Sequence, residues 1–266
     1  MRTISLWWLI LAVVIWPILI TVFLNVLSPF ARHLAQSSKG IIQPTLFFSS
    51  ILFVIVIFGI LIRAGKLHVD DIGLSSSTLF DGIFYTVGTW IFLQGILVIA
   101  SLFTESGIML SDTFKSQNCP KTLGILGGQL FGNAFVEEVM FRGFLLPQIY
   151  LKLGGRSDTI EWSKLSAAII LSQLAFALIH IPNLERLTIP GGSSFIKLLT
   201  IFVMGVFFAL FYVRTRNLFL CIGLHALINA PTPLFQSTLQ PEMVTFSIAI
   251  ALMVLSPKLL KTYAEG

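Results

Sequence analysis

The sequence has little charge: 11% of its 266 residues are Asp, Glu, Lys or Arg, whereas an ordinary soluble domain carries about 25%. Hydrophobic residues make up 56% of the chain, and the mean hydropathy is +0.92. A soluble fold of this size could not bury so much apolar surface, and a disordered chain requires low hydrophobicity together with high charge. The composition therefore excludes both classes and predicts an integral membrane protein.

Several motifs are also absent. The two cysteines do not form a CxxC pair, so the chain has neither a thiol-redox motif nor a zinc knuckle. There is no HExxH and no GxSxG sequence, which excludes a zinc protease of the first type and a serine hydrolase of the second. The net charge is +5, and the basic residues lie mainly in short loops between the apolar runs. Basic residues in such loops are explained by membrane topology and by contact with anionic lipid headgroups, so we expect no nucleic-acid partner.

A membrane helix needs about 20 mostly apolar residues, and eight apolar runs are interpreted as such helices. They are Leu6–Leu27, Pro44–Ile62, Gly82–Phe103, about Leu123–Leu151, Leu165–Ile181, Leu198–Val213, Leu218 to about Phe235, and Met243–Leu255. Pro231 and Pro233 are expected to break the end of the seventh run. The predicted fold is an all-α polytopic membrane protein with about eight transmembrane helices in one bundle, a single membrane domain over residues 1–266.

The positions of Lys and Arg predict the orientation of this bundle. An even number of spans places both termini on one side, and that side carries ten basic residues. The opposite side carries six, among them Lys197, which is assigned to the segment before the sixth span. Because basic residues concentrate in cytoplasmic loops, we expect both termini in the cytoplasm and the protein in the plasma membrane.

Charged residues occur inside the fourth predicted span and in no other span interior: they are Glu137, Glu138 and Arg142. An ionised side chain at the centre of a membrane helix costs about 2.5–3.5 kcal/mol, so such a cluster indicates a functional site. Glu138 and Arg142 are four residues apart and can form an ion pair on one helix face. Glu137 lies about 100° round the helix and has no basic partner within its turn. We therefore interpret it as a proton acceptor.

Two of the four histidines, His180 and His225, fall inside predicted spans. Glu137 precedes Lys152 by 15 residues, and His180 follows Lys164 by 16. With a helical rise of about 1.5 Å per residue, both side chains lie roughly 23 Å from the loop that joins the fourth and fifth spans. We expect Glu137 and His180 to face each other at one depth in the membrane.

Further polar and aromatic residues accompany the two histidines. Asn229 follows His225 by one helical turn, and such a pair of donors can hold a developing oxyanion. Phe176 precedes His180 by one turn and is expected to fix the orientation of the imidazole ring. These residues together predict hydrolysis of a peptide bond, in which Glu137 and His180 deprotonate a water that attacks the carbonyl.

Three other interpretations stay open at this point. Glu137, His180 and His225 could instead hold a catalytic zinc ion, since three protein ligands and a water are typical of such sites. A proton-coupled transporter or ion pathway also uses Glu and His, although no internal repeat is present. The third is a bacteriocin-immunity-type or interaction protein of the membrane without essential catalysis.

Three motifs in this order, Glu137-Glu138-x-x-x-Arg142, Phe176-x-x-x-His180 and His225-x-x-x-Asn229, resemble the CPBP intramembrane protease family. That family includes the type II CAAX prenyl endopeptidases and the bacterial Abi proteins. The resemblance covers residues 132–230, within a core protease region of about 121–235. It implies an eight-helix membrane fold and a glutamate-dependent endopeptidase without a cofactor.

The resemblance also implies roles and partners. Glu137, His180, His225 and Asn229 match the family's catalytic positions, with Glu138, Arg142 and Phe176 in support. The implied partners are membrane lipid and a membrane-associated peptide or lipidated protein as substrate. Nothing in this sequence identifies a prenyl-binding site, so the prenylated substrate of the eukaryotic members is not transferred.

Overall fold

The computed structural model describes residues 3–104, 107–156, 160–187 and 192–259, with side chains described as far as residue 255. Helix makes up 78% of the described residues. The part of the chain described contains no strand, and an isolated β-bridge joins Leu110 and Phe235. The prediction of an all-α protein is confirmed.

The α-helices, numbered along the chain, are α1 (Leu6–Val22), α2 (Ser28–Ser37), α3 (Pro44–Leu52), α4 (Leu79–Ser101), α5 (Cys119–Gly128), α6 (Ala134–Glu138), α7 (Leu146–Lys152), α8 (Trp162–Leu178), α9 (Ser194–Thr215), α10 (Leu218–Asn229) and α11 (Pro241–Leu259). Wider π-helical stretches extend several of them, at Phe23–Leu27, Phe53–Ala64, Gln129–Asn133 and Val139–Leu145. Short 3₁₀ segments occur at Asp70–Ile72, Ser76–Thr78, Asp112–Phe114 and Ile181–Arg186. Two of the π-helical stretches lie in the fourth predicted span, one before and one after its two glutamates. Such stretches are common at functional sites.

Four helical segments of the described chain are long and apolar enough to cross a membrane: Leu6–Ser37, Pro44–Ala64, Ser76–Ser101 and Ser194–Thr215. Three shorter apolar helices accompany them, Trp162–Leu178, Leu218–Asn229 and Pro241–Leu255. Large apolar side chains also remain exposed along these helices, with Trp7 at 66% and Phe84 at 60%, as expected of surface that contacts lipid. The protein is therefore an integral membrane protein, but the number of eight spans is not confirmed.

The described residues divide into two compact units. The first consists of the described residues of 1–28, 50–75 and 136–213, and the second of those of 29–49, 76–135 and 214–266. Glu137, Glu138, Arg142, Phe176 and His180 belong to the first unit. His225 and Asn229 belong to the second.

The core of the first unit surrounds the charged cluster. The ring of Trp16 on α1 meets Phe141 edge-to-face at 5.6 Å, and Phe141 meets Phe176 on α8 in the same way at 5.0 Å. Apolar residues of α7, α8 and α9 form a second layer, made of Leu146, Leu165, Ala168, Ile169 and Ala209. The beginning of the chain is tied to this unit, because Ile4 N donates to Gln148 Oε1 at 3.1 Å and Lys152 Nζ donates to Ile4 O at 2.6 Å. The glutamates are thus held by a densely packed interior.

Glycines set the helix contacts of the second unit. A Cβ atom added at Gly124 would clash with the carbonyl oxygen of Gly40, and one added at Gly223 on α10 would clash with Thr86 Oγ1 on α4. Gly128 and Gly132 follow Gly124 at intervals of four residues, and added Cβ atoms there would lie 2.9 Å from Thr45 Oγ1 and 3.3 Å from Leu46 Cα. Small residues at this spacing let membrane helices approach closely, so the stripe fixes how α5 and the π-helical stretch after it pack against residues 40–49.

Two predicted span limits are wrong, and proline explains both. The seventh span was expected to extend to about Phe235, but α10 ends at Asn229 and Ala230 has φ −147° and ψ 72°. The residue before a proline is kept out of the helical region, and Pro231 follows Ala230. The fifth span was expected to extend to Ile181, but α8 ends at Leu178 and a 3₁₀ segment begins at Ile181, next to Pro182. His180 therefore lies in the turn between two helical segments rather than inside a helix.

Candidate active site

The ion pair expected between Glu138 and Arg142 forms in the interior of the first unit. Arg142 Nη1 donates to Glu138 Oε1 at 3.0 Å, and both side chains are 0% exposed. Arg142 also contacts two neighbouring helices. Its Nη2 donates to the carbonyl oxygen of Gly205 on α9 at 3.2 Å, and its guanidinium carbon lies 4.6 Å from the ring centre of Phe176 on α8. This pair therefore connects three helical segments of one unit.

Glu137, the adjacent residue, faces a different neighbour. Its Oε1 lies 3.7 Å from His180 Nε2, and the two side chains are 8% and 13% exposed. This distance exceeds that of a direct hydrogen bond, about 2.7–3.2 Å. The two atoms are therefore close enough to contact one small molecule together, without being bonded to each other.

The hydrogen bond at one ring nitrogen of His180 determines whether the other, which faces Glu137, carries a proton. His180 Nδ1 lies 2.7 Å from the carbonyl oxygen of Phe176. A carbonyl oxygen only accepts, so Nδ1 carries the proton of this hydrogen bond. In the neutral ring Nε2 then has a free lone pair directed at the Glu137 side. With the ring neutral, Glu137 and His180 offer two acceptors separated by 3.7 Å.

Phe176 orients this histidine with its ring as well as with its carbonyl group. The rings of Phe176 and His180 meet edge-to-face with centres 4.9 Å apart. The Phe176 ring in turn lies under the Arg142 guanidinium and beside Phe141. The buried Glu138–Arg142 pair and His180 thus share one aromatic neighbour, Phe176.

His225 and Asn229 lie one turn apart on α10 in the second unit. His225 is buried, with 8% of its surface exposed, whereas Asn229 is exposed. The side chain of Asn217 caps the start of α10 by accepting from Leu220 N at 3.0 Å, and its Nδ2 donates to Thr78 O at 2.9 Å. The beginning of the helix that carries both residues is therefore fixed within its own unit.

Sequence reasoning missed Gln129. Its Oε1 accepts a hydrogen bond from Asn229 Nδ2 at 3.0 Å, which orients the Asn229 amide. Gln129 is the first residue of the π-helical stretch Gln129–Asn133. The sequence feature that could have identified Gln129 is its polar side chain within the fourth predicted span, eight residues before Glu137.

Lys197 was also misplaced. The sequence assigns it to a segment outside the sixth span, but it lies in the first turn of α9 with only 9% of its surface exposed. Its Nζ donates to the carbonyl oxygen of Leu184 at 3.3 Å, in the 3₁₀ segment that follows His180. Lys197 directly precedes the sixth predicted span, and a residue at that position can belong either to a loop or to the first turn of a helix.

The zinc alternative requires three protein ligands. Among the residues that the structure describes, no three His, Cys, Asp or Glu side chains come together as possible ligands of a metal ion.

Comparison with known families gives a match over the region that contains the motifs. Residues 120–231 match a family model described as type II CAAX prenyl endopeptidase Rce1-like. A comparison with curated proteins gave no match, and a comparison with solved structures gave none either. The matched region contains all three motifs, and with them Glu137, His180, His225 and Asn229. This region of the chain is similar to the CAAX-type intramembrane endopeptidases of the CPBP family.

Proposed function

We propose that the chain hydrolyses a peptide bond of a membrane-associated peptide or lipidated protein, with Glu137 as the general base and without a metal ion. The observation that carries this proposal is the distance of 3.7 Å between Glu137 Oε1 and His180 Nε2 in a nearly buried site. Two acceptors at this separation accommodate a water molecule that donates one hydrogen to each. The lone pair of that water is then free to attack a carbonyl carbon.

In the proposed reaction, the water oxygen forms a bond to the peptide carbonyl carbon and gives its proton to Glu137. The carbonyl oxygen becomes an oxyanion, and the sequence motifs are the basis for proposing His225 and Asn229 as the residues that stabilise it. The C–N bond then breaks, and Glu137 returns the proton to the leaving amine. The products are a carboxylic acid and an amine, which exchange the remaining proton to give a carboxylate and an ammonium group, and no covalent intermediate with the enzyme forms.

Each group has an expected contribution. General acid–base catalysis contributes about 10²–10⁴-fold, and one oxyanion donor contributes about 10²–10³-fold. The hydrogen bond from Asn229 to Gln129 supports the oxyanion role, since an amide held by one hydrogen bond retains a second N–H for the substrate. The Glu138–Arg142 pair supports the site through Phe176, which contacts both Arg142 and His180.

We further propose a plasma-membrane location with both termini in the cytoplasm, supported by the ten-to-six distribution of basic residues. The description of the matched family makes a prenylated CAAX peptide the first substrate to test.

The test is a cleavage assay with the purified chain in lipid nanodiscs and one CAAX peptide, with and without its prenyl group. We expect the wild type to cleave at least one form and Glu137→Gln to be at least about 100-fold slower. Glu242→Gln is the matched control, because it makes the same change at an exposed glutamate of α11 and should cleave at the wild-type rate.

A chelator arm separates the two hydrolytic mechanisms. Activity that persists after metal chelation supports water activation by Glu137, and activity that disappears and returns with zinc supports the metal alternative. Equal cleavage by the wild type and Glu137→Gln would contradict the proposed role of Glu137.

A further inference from the structure

An open apolar groove with a volume of about 680 Å³ lies within the second unit. One wall lies on a single face of α5 and of the π-helical stretch after it, and consists of residues spaced by four: Cys119, Leu123, Gly127 and Phe131. Ile41 and Leu46 line the groove as well. Leu123 is 52% exposed and Phe131 78%. Exposed apolar surface of this kind in a membrane protein contacts lipid.

One end of the groove lies at the level of the lipid headgroups. Residues 38–43 connect two segments that are long and apolar enough to cross a membrane, Leu6–Ser37 and Pro44–Ala64, so the chain leaves and re-enters the membrane there. The start of α5 packs against this connection, because a Cβ atom added at Gly40 would lie 2.8 Å from Lys121 Cβ. The groove therefore begins at the membrane surface.

The length of the groove matches one leaflet of the bilayer. With a helical rise of about 1.5 Å per residue, the wall from Cys119 to Phe131 is about 18 Å long. The hydrocarbon core of a bilayer is about 30 Å thick, so one leaflet supplies about 15 Å of it. A single acyl chain that enters at the headgroup level thus fits along this wall.

The headgroup end of the groove is basic. Lys39 and Lys121 are both exposed there, and neither forms an ion pair with another residue that the structure describes. The two stretches of chain that form the groove contain no Asp or Glu, since none occurs in residues 1–69 or 113–136. The charge that would complement these two ammonium groups is therefore not supplied by the stretches that form the groove.

Helix stability does not explain the position of Lys121. This residue lies in the first turn of α5, where the partial positive charge of the helix terminus disfavours a cation. The same turn contains no acidic residue. An anion bound beside Lys121 would relieve this repulsion.

We propose that the groove binds one anionic phospholipid of the bilayer, with an acyl chain along Leu123, Gly127 and Phe131 and with the phosphate between Lys39 and Lys121. Each lysine near a membrane surface contributes about a fivefold preference for an anionic lipid. The two lysines therefore select an anionic lipid over a zwitterionic lipid with the same acyl chains. This binding goes beyond the proposed hydrolysis and does not depend on it.

The first experiment measures the lipid that the purified full chain retains in neutral detergent, by native mass spectrometry. Phosphatidylglycerol and phosphatidylcholine with identical acyl chains compete in equal amounts. We expect the wild type to prefer phosphatidylglycerol by at least about tenfold, because two lysines contribute. Lys39→Met and Lys121→Met keep the apolar stem and should each lower this preference about fivefold.

Lys66→Met is the matched control for Lys39→Met. Both lysines are exposed and share a left-handed backbone, with φ 54° at Lys66 and 53° at Lys39, but Lys66 does not line the groove. Lys66→Met should therefore leave the lipid preference unchanged.

The second experiment locates the bound lipid through the chain's own cysteines. Cys119 lines the groove and is partly exposed, whereas Cys221 is buried, so a maleimide reagent reports on the groove. In nanodiscs, adding phosphatidylglycerol to phosphatidylcholine should slow the labelling of Cys119. Gly127→Leu should abolish this effect, because a Cβ atom added there meets nothing within 4 Å and the new side chain occupies the groove. Gly95→Leu on α4 is the control, since an added Cβ atom there also meets nothing within 4 Å.

Three results would overturn the lipid site. Equal binding of the two lipids, or equal losses in Lys39→Met and Lys66→Met, would show that the groove does not recognise the headgroup. Labelling of Cys119 that does not respond to phosphatidylglycerol would place the lipid elsewhere. Dimers in the mass spectra, together with Cys119 protected in neutral lipid, would assign the groove to a second copy of the chain.

Discussion

Glu137 and Glu138 are neighbours in the chain, yet they lie on two faces of one helical segment that differ in almost every respect. Glu138 is 0% exposed and bonded at 3.0 Å to an arginine that contacts two further helices. Glu137 is 6% exposed and has a histidine nitrogen at 3.7 Å, beyond hydrogen-bonding distance. One face carries a permanent ion pair, and the other carries a contact that is longer than a hydrogen bond.

Burial alone therefore does not separate the proposed catalytic carboxylate, Glu137, from its neighbour Glu138. Both glutamates are buried, and what separates them is the nature and the distance of the partner. An arginine is permanently protonated, so Glu138 has a constant partner and a structural role. A histidine exchanges protons near neutral pH, so Glu137 has a partner that suits proton transfer.

The largest expected effect concerns the face of the helical segment that carries Glu137. We expect His180→Ala to reduce the rate of peptide cleavage by about 10²–10⁴-fold, because Glu137 loses the second acceptor that orients the water. The melting temperature should change little, since this side chain is partly exposed and its bond to Phe176 is local. Single-turnover kinetics and a thermal melt of the same preparation measure both quantities. A variant that keeps a tenth of the wild-type rate would assign His180 a minor role.

On the face that carries Glu138 and Arg142, a substitution should mainly lower the stability of the protein. We expect Glu138→Ala to lower the free energy of unfolding by about 3–5 kcal/mol, because it leaves the Arg142 charge buried without its carboxylate. The double variant Glu138→Leu, Arg142→Met should recover much of that loss, since apolar residues of similar volume replace the pair. Denaturant titration in mixed micelles measures both. An unchanged stability of Glu138→Ala would remove the distinction between the two faces.

A smaller effect is expected for Gln129, which orients Asn229 in the second unit. Loss of one hydrogen bond of about 1 kcal/mol predicts that Gln129→Ala lowers kcat roughly fivefold and leaves KM unchanged. Gln129→Glu keeps the acceptor and should retain most of the activity. In Asn229→Ala the Gln129 substitution should have no further effect. Additive losses in the double variant would show that the two residues act separately.

Much of this fold could be predicted from apolar runs alone. The third and sixth predicted spans, Gly82–Phe103 and Leu198–Val213, correspond to α4 and α9 with limits that differ by a few residues. The errors at His180 and Asn229 arise where an α-helix ends shortly before a proline, two residues after each of these positions. Hydropathy is continuous through such a proline, so the end is revealed only by the missing N–H of the proline and by its restriction on the residue before it.

The candidate site was only partly predictable. Charged and imidazole side chains stand out in an apolar run, because placing them in a membrane is costly and needs a reason. Gln129 and Lys197 escaped notice, since a neutral amide costs less and a lysine at the end of a span is usually explained by topology. Their roles depend on contacts with residues 100 and 13 positions away, Asn229 and Leu184. Such contacts do not follow from local pattern.

The claim that Glu137 activates a water molecule is tested most directly by isotope transfer in a single turnover. The wild-type enzyme, in excess over its peptide, would react in water enriched in heavy oxygen, and mass spectrometry would examine the new peptide carboxylate. Direct attack by water predicts that the carboxylate carries heavy oxygen after the first turnover. If the carboxylate instead carries ordinary oxygen and the label appears on Glu137, the glutamate acts as a nucleophile and the account of general-base catalysis is wrong.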